Sequence, residues 1–282
     1  MTAHKNPVQR QPGTLADPAI VAALMALVQA KRGRRPPVLG PMVLGLCGAQ
    51  GSGKSTLAAA VVDAARASGL VAATLSLDDL YLTRAAREKL AREIHPLLAT
   101  RGVPGTHDVR LGLDLLARLD AGEAVRLPRF DKATDDRAPR AEWDAAPARL
   151  DLLVFEGWCV GAVAENEAAL VEPVNPLEAR EDADARWRHW VNAQLAGEYQ
   201  RLFARIDALV LLAAPGFEVV FDWRLEQESA GAGVMDAAAI ARFIEHYERL
   251  TCHILAEMPG RADLVIRLDR DRTPAGIISR SS

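Results

Sequence analysis

Eight consecutive residues, Gly48-Ala49-Gln50-Gly51-Ser52-Gly53-Lys54-Ser55, fit the phosphate-binding loop pattern G-x-x-x-x-G-K-[ST] at every fixed position. The chemistry of such a loop is electrostatic. Glycines let the backbone curl tightly, so that successive N–H groups aim at phosphate oxygens. The helix that follows adds the positive end of its dipole. The pattern therefore assigns phosphate binding to Gly48, Gln50, Gly51, Ser52, Gly53, Lys54, Ser55 and Thr56. Lys54 is expected to reach the β/γ-phosphates, and the Ser55 hydroxyl to hold Mg²⁺. The context agrees: the apolar run Met42 to Cys47 precedes the loop as a buried strand would, and Thr56 to Val62 follows with helical composition.

Transfer of a phosphoryl group needs more than a cradle: a metal, an aligned acceptor and positive charge at the transition state. Ser76-Leu77-Asp78-Asp79-Leu80-Tyr81 ends the second apolar segment, at the sheet edge where open α/β proteins bind ligands. An Asp there can take a proton from an acceptor hydroxyl. Alternation along a strand turns only one of Asp78 and Asp79 toward the transferred group. Glu156 directly follows the apolar run Asp151 to Phe155, the position of an acid that holds Mg²⁺ or its water. Arg224, on an expected helix after the fourth strand, is placed to neutralise charge developing on the γ-phosphate. Arg129, Asp131, Lys132, His107 and Asp108 suit a small polyhydroxylated or anionic acceptor, because Arg forks bind carboxylates and Asp accepts from hydroxyls. Asp79 and Tyr81 join them on the acceptor side.

The elements that must position these groups are legible in part. Apolar segments at Val43–Cys47, Val71–Leu77, Leu150–Phe155, Ala208–Leu212 and Leu264–Leu268 read as buried strands. Helical patterns separate most of them, the signature of a parallel sheet covered on both faces. Val191, Leu195, Tyr199, Leu202 and Ile206 predict one long helix, and Ile240 to Ile254 a second, from about Asp236 to Glu257. Upstream, Asp17-Pro18 opens a helix as cap and first-turn proline. The basic run Lys31 to Arg35 stops that helix and reads as a solvated linker. The chain thus divides into residues 1–38, with a disordered first dozen and a helix, and a domain over 39–282. Segments at about 95–145 and 160–188 break the α/β rhythm and are expected to bind the acceptor. Ser229 to Met235 is built of small residues and reads as flexible.

Composition narrows the partners. A formal charge of −3 and the lack of a basic stripe interleaved with aromatics argue against nucleic acid. Cys47, Cys159 and Cys252 have no metal-ligand spacing and read as apolar side chains in a reducing compartment. No apolar run approaches the ~20 residues of a membrane span, and Met1 to Leu15 carries no signal-peptide core, so a cytoplasmic protein is expected.

Taken together, these segments resemble the P-loop kinases of small metabolites, the set that contains uridine kinase, pantothenate kinase and phosphoribulokinase. Within that set the chain is most similar to the D-glycerate 3-kinase family. The resemblance rests on Gly48 to Thr56, Ser76 to Leu82, Arg101-Gly-Val-Pro-Gly-Thr-His-Asp108 and Leu127-Pro-Arg-Phe-Asp-Lys132. It continues through Phe155 to Trp158, Val174 to Glu178 and Trp223 to Glu228. It implies a P-loop NTPase fold, with a doubly wound five-stranded parallel sheet in the order 2-3-1-4-5. It also implies ATP and Mg²⁺ as cofactors and transfer of the γ-phosphoryl group to D-glycerate, giving 3-phosphoglycerate. On the same resemblance Asp78 is the general base, Glu156 the metal-associated acid, Arg224 the lid arginine, and Asp269 to Arg272 the border of the adenine. The alternative is another small hydroxylated acceptor: a sugar acid, a nucleoside or a pantothenate-like molecule. A nucleotide-dependent switch is the remaining class, and the chain lacks the Asn-Lys-x-Asp segment that a guanine-specific switch needs.

Overall fold

In a computed structural model, residues 17–34, 40–230 and 236–280 are described. The expected disorder of the first dozen residues falls outside them, as do Arg35 and most of the segment after Glu228. A central sheet carries parallel strands β1 (Met42–Gly48), β2 (Ala72–Ser76), β3 (Leu152–Gly157), β4 (Ala208–Ala213) and β5 (Leu264–Leu268). Their spatial order is 2-3-1-4-5, as expected. Leu44 on β1 stands between Val154 of β3 and Ala208 of β4, so β1 is the central strand. All seven of its residues are buried, which is why the run shows no polar alternation.

The sheet has six strands, not five. Pro274–Ser279 (β6) turns back antiparallel against β5 and forms the edge. Its proline, glycine and half-exposed side chains hide it from a search for apolar runs; proline is tolerated there because an edge strand need not donate every N–H.

Alternation along the strands splits the core into two faces. Val43, Cys47, Leu153 and Phe155 pack beneath α4 (Val109–Asp120), α7 (Glu198–Phe203) and α9 (Ala237–Glu257). Leu44, Leu46, Leu152 and Val154 pack beneath α1 (Pro18–Arg32) and α2 (Lys54–Ala67). Asp17 caps α1 by accepting from the Ala19 N–H at 2.7 Å, an arrangement typically worth about 1 kcal/mol. The basic end of α1 is pinned rather than solvated: Lys31 pairs with Asp263 at 2.6 Å, and Arg32 with Asp151 at 2.9 Å.

One further expectation is corrected. The single long helix through Val191 and Leu202 is two, α6 (Arg186–Ala196) and α7, broken at Gly197 with φ −92° and ψ −117°. The Gln200 side chain donates to the freed Leu195 carbonyl at 2.8 Å. The acidic stretch near 160–188 forms α5 (Pro176–Glu181), and its buried charges are bound up internally. Glu178 takes two bonds from Arg249, and Asp182 pairs with Arg188. No helix among the described residues is long and apolar enough to cross a membrane.

Candidate active site

The phosphate loop leaves the end of β1 and enters α2 at Lys54. Gly51 and Gly53 have φ of +73° and +83°, the left-handed region where a Cβ is strained. At Gly51 a side chain would also stand 2.7 Å from the Trp223 Cβ and 2.9 Å from its backbone. Ser52 is fully buried under the loop. Lys54 and Ser55, the first residues of α2, face two adjoining openings. One of ≈ 450 Å³ lies over Gly51, Gly53 and Thr56 and is bordered by Arg272, whose guanidinium donates to the Gly51 carbonyl at 3.3 Å and pairs with Glu226. The second, of ≈ 180 Å³, runs from Gln50 and Lys54 past Glu156 to Asp78.

Glu156 is the penultimate residue of β3, and only 4% of its surface is exposed. Ser55 donates its hydroxyl to Glu156 Oε1 at 3.0 Å. Glu156 Oε2 is buried and has no partner within the protein. A buried carboxylate oxygen is costly to leave bare, so this donor set fits a hard divalent cation or its water.

Asp78 is the second residue of the 3-10 turn Leu77–Leu80 after β2. Its Oδ1 accepts from the Tyr81 hydroxyl at 2.9 Å and its Oδ2 from Lys132 Nζ at 2.8 Å. Burial pushes this carboxyl up, but Lys132 and Lys54, with the Tyr81 bond, outweigh it and hold Asp78 well below the usual carboxylate range. Asp79 turns the other way. It accepts from Arg129 at 2.6 Å and from the Phe130 N–H at 3.0 Å, fastening the 127–132 segment to the turn.

The acceptor-side residues separate accordingly. Lys132 and Tyr81 line the opening with both aspartates. Arg129 is committed to Asp79 and Asp144 and lines a different groove with Thr74. Asp131 caps an exposed turn through Ala133 and Thr134. Asp108 caps α4 at the Leu111 N–H and pairs with Arg137 at 3.1 Å. His107 is buried behind Tyr81, stacked on it at 4.6 Å, with Nδ1 against the Tyr199 hydroxyl at 2.6 Å. Burial lowers its pKa to about 3, so it stays neutral. None of these four meets the opening.

Arg224, on α8 (Glu218–Ala230), does meet it, with its guanidinium 5.6 Å from the centre of the Phe243 ring and bonded to Gln227 at 3.0 Å. Arg101 was not assigned a role from sequence, yet it lines the opening. It stacks 5.5 Å from the centre of the Phe130 ring and pairs with Asp135. Its place at the head of the Arg101 to Asp108 segment was the available signal. Tyr247 and Trp158 close the back, bonding to the carbonyls of Arg101 and Gly102 at 2.9 Å each.

Comparison with known proteins bears on the family and the fold. Residues 43–172 match the phosphoribulokinase / uridine kinase family. The uncharacterized kinase mug58 of Schizosaccharomyces pombe is 35% identical over 259 residues, 83% of this chain and 90% of that one. The chloroplastic D-glycerate 3-kinase of Arabidopsis thaliana is 30% identical over 257 residues, 83% of this chain but 54% of that longer protein. The structure of D-glycerate 3-kinase from Cryptococcus neoformans superposes with a TM-score of 0.79 at 28% identity, covering 93% of this chain and 99% of that one.

Proposed function

The chain belongs to the phosphoribulokinase / uridine kinase family of P-loop kinases, and from that premise we propose that it transfers the γ-phosphoryl group of ATP to D-glycerate, giving 3-phosphoglycerate. One observation carries the reading. A single opening brings together Lys54, the Ser55–Glu156 pair, the Asp78 carboxylate and two cations, Lys132 and Arg101. The two D-glycerate 3-kinases among the relatives support the choice of acceptor.

Each residue has a task in this reaction. The loop amides and Lys54 hold the phosphate chain. Ser55 Oγ and Glu156 Oε2 would hold Mg²⁺, which when bound screens the β/γ oxygens. Arg224 offsets charge on the transferring group. Lys132 and Arg101 take the acceptor carboxylate, the role that Arg129 cannot fill while it clamps Asp79 and Asp144. Asp78 receives the proton of the attacking hydroxyl, help that is typically worth ~10²–10⁴ in rate. The test is ADP release with ATP and Mg²⁺ in the presence of D-glycerate, L-glycerate, pantothenate, uridine or no acceptor. Stimulation confined to D-glycerate, with 3-phosphoglycerate as product, is the expected result. Stimulation by another member alone would reassign the acceptor.

A further inference from the structure

The two hydrogen bonds on Asp78 differ in a way the proposed chemistry has to resolve. Tyr81 holds Oδ1 and cannot leave: its ring is buried, stacked on His107, and His107 is tied to Tyr199. Lys132 holds Oδ2 from an exposed turn, with 60% of its side chain open to solvent. One arm is fixed and the other is removable. While both are in place, each carboxylate oxygen already spends one lone pair on a bond, and Oδ2 spends it on an ammonium. An oxygen already taking a charge-assisted bond from an ammonium is also a weak base.

We propose that Lys132 latches the base and that the acceptor's own carboxylate opens the latch, drawing Lys132 Nζ off Asp78 Oδ2. This inference rests on the kinase reading above, with Asp78 as base and an anionic acceptor. Once Oδ2 is free, the acceptor hydroxyl oxygen bonds to the γ-phosphorus while the bond from that phosphorus to the β,γ-bridging oxygen breaks. The bridging oxygen keeps the electron pair and departs with ADP, and the hydroxyl proton goes to Oδ2. Arg101 cannot act as the latch, because Asp135 and the Phe130 ring hold its guanidinium. The latch gives the enzyme a way to refuse water. Water entering an opening without a carboxylate meets a base weakened by Lys132, so ATP survives until the proper acceptor arrives.

The latch predicts gain as well as loss when Lys132 is removed. In Lys132→Met, ATP hydrolysis without acceptor should rise about tenfold, a part of the ~10²–10⁴ that a positioned base supplies. KM for the acceptor should rise in the same variant, because the carboxylate loses a partner. Glycerol, which lacks the carboxylate, should become a usable acceptor relative to wild type. Lys132→Gln, which keeps the length and polarity of the side chain, should behave in the same way and guards against a misfolded variant. A structural role for Lys132 would only lower these rates. Acceptor-free hydrolysis at or below the wild-type rate in both variants, with D-glycerate turnover still measurable, overturns the latch. The kinase reading is tested separately by Asp78→Asn: wild-type turnover there would remove the base itself and leave nothing to latch.

Discussion

Glu156 and Glu178 are both buried glutamates, with 4% and 1% of their surfaces exposed, yet they sit in regions built on opposite logic. Glu178, in the acidic stretch around α5, takes bonds from Arg249 at 2.8 and 2.7 Å and from the Val174 N–H at 3.0 Å. Its charge is met inside the protein, and its work is to fasten α5 to α9. Glu156, at the phosphate-loop edge, takes one bond from Ser55 and leaves Oε2 bare. A buried oxygen without a partner costs stability unless something outside the chain supplies one. The contrast separates architecture from site more sharply than acidity or burial does.

The largest effect falls at the phosphate edge. Lys54→Ala should lower turnover by ~10³ or more, in line with the value of a cation at a transferring phosphoryl group. Thermal unfolding should be little changed, because Lys54 faces the openings rather than the core. Loss of fold with loss of activity would contradict the division. Arg249→Met probes the other region. It strands Glu178 in the interior, and breaking a buried pair this way costs about 3–5 kcal/mol. Turnover per folded molecule should survive. Denaturant unfolding beside activity measured at low temperature checks both halves.

Matched substitutions sharpen the comparison. Glu156→Gln should cost ~10²–10³ in turnover, comparable with losing one preorganised electrostatic group. It should leave stability equal or higher, since it removes a buried charge with an unmet oxygen. Glu178→Gln should do the reverse, lowering stability and sparing turnover. If the two variants respond alike in unfolding, unmet hydrogen bonding does not distinguish the regions.

His107 is an intermediate case, with Nδ1 bonded to Tyr199 and Nε2 buried without a partner. Burial favours its neutral form and lowers its pKa from 6.5 to about 3. Below the ordinary value the unfolded chain takes up a proton that the folded chain refuses. Stability therefore falls as pH drops through that value towards the folded one. From about pH 7 to about pH 5 this single group should cost about 2 kcal/mol, and His107→Gln should flatten that part of the profile.

The phosphate edge was legible because its chemistry lies in adjacent residues: the glycines, Lys54 and Ser55 act through the backbone and helix end they themselves form. The acceptor side was legible only as a set of candidates. Which task Asp78 and Asp79 each take depends on Lys132 and Arg129, fifty or more residues away, choosing one aspartate each. Arg101 heads the segment to Asp108 without a role legible in sequence, because its role comes from Phe130 and Asp135 turning it inward. The break at Gly197 and the edge strand β6 escaped for a simpler reason. Periodicity reports apolar faces, and neither a backbone kink within a continuous face nor a half-exposed strand alters or makes one.

Asp131→Ala is the smallest predicted effect and the most direct probe of that lesson. Residue type and the family resemblance grouped Asp131 with Lys132 as an acceptor ligand, but its carboxylate caps the Ala133 N–H and the Thr134 hydroxyl on an exposed turn. Substitutions at such surface positions stay within about 0.5 kcal/mol, so KM for the acceptor should move no more than about twofold. The turn also carries Lys132, which makes a modest change informative about how firmly the latch is seated. A rise in acceptor-free ATP hydrolysis without a change in KM would mean that Asp131 steadies Lys132 on Asp78. A rise in KM of tenfold or more would bring onto the acceptor the Asp131 carboxylate itself, which caps the turn beside Lys132 and does not line the opening.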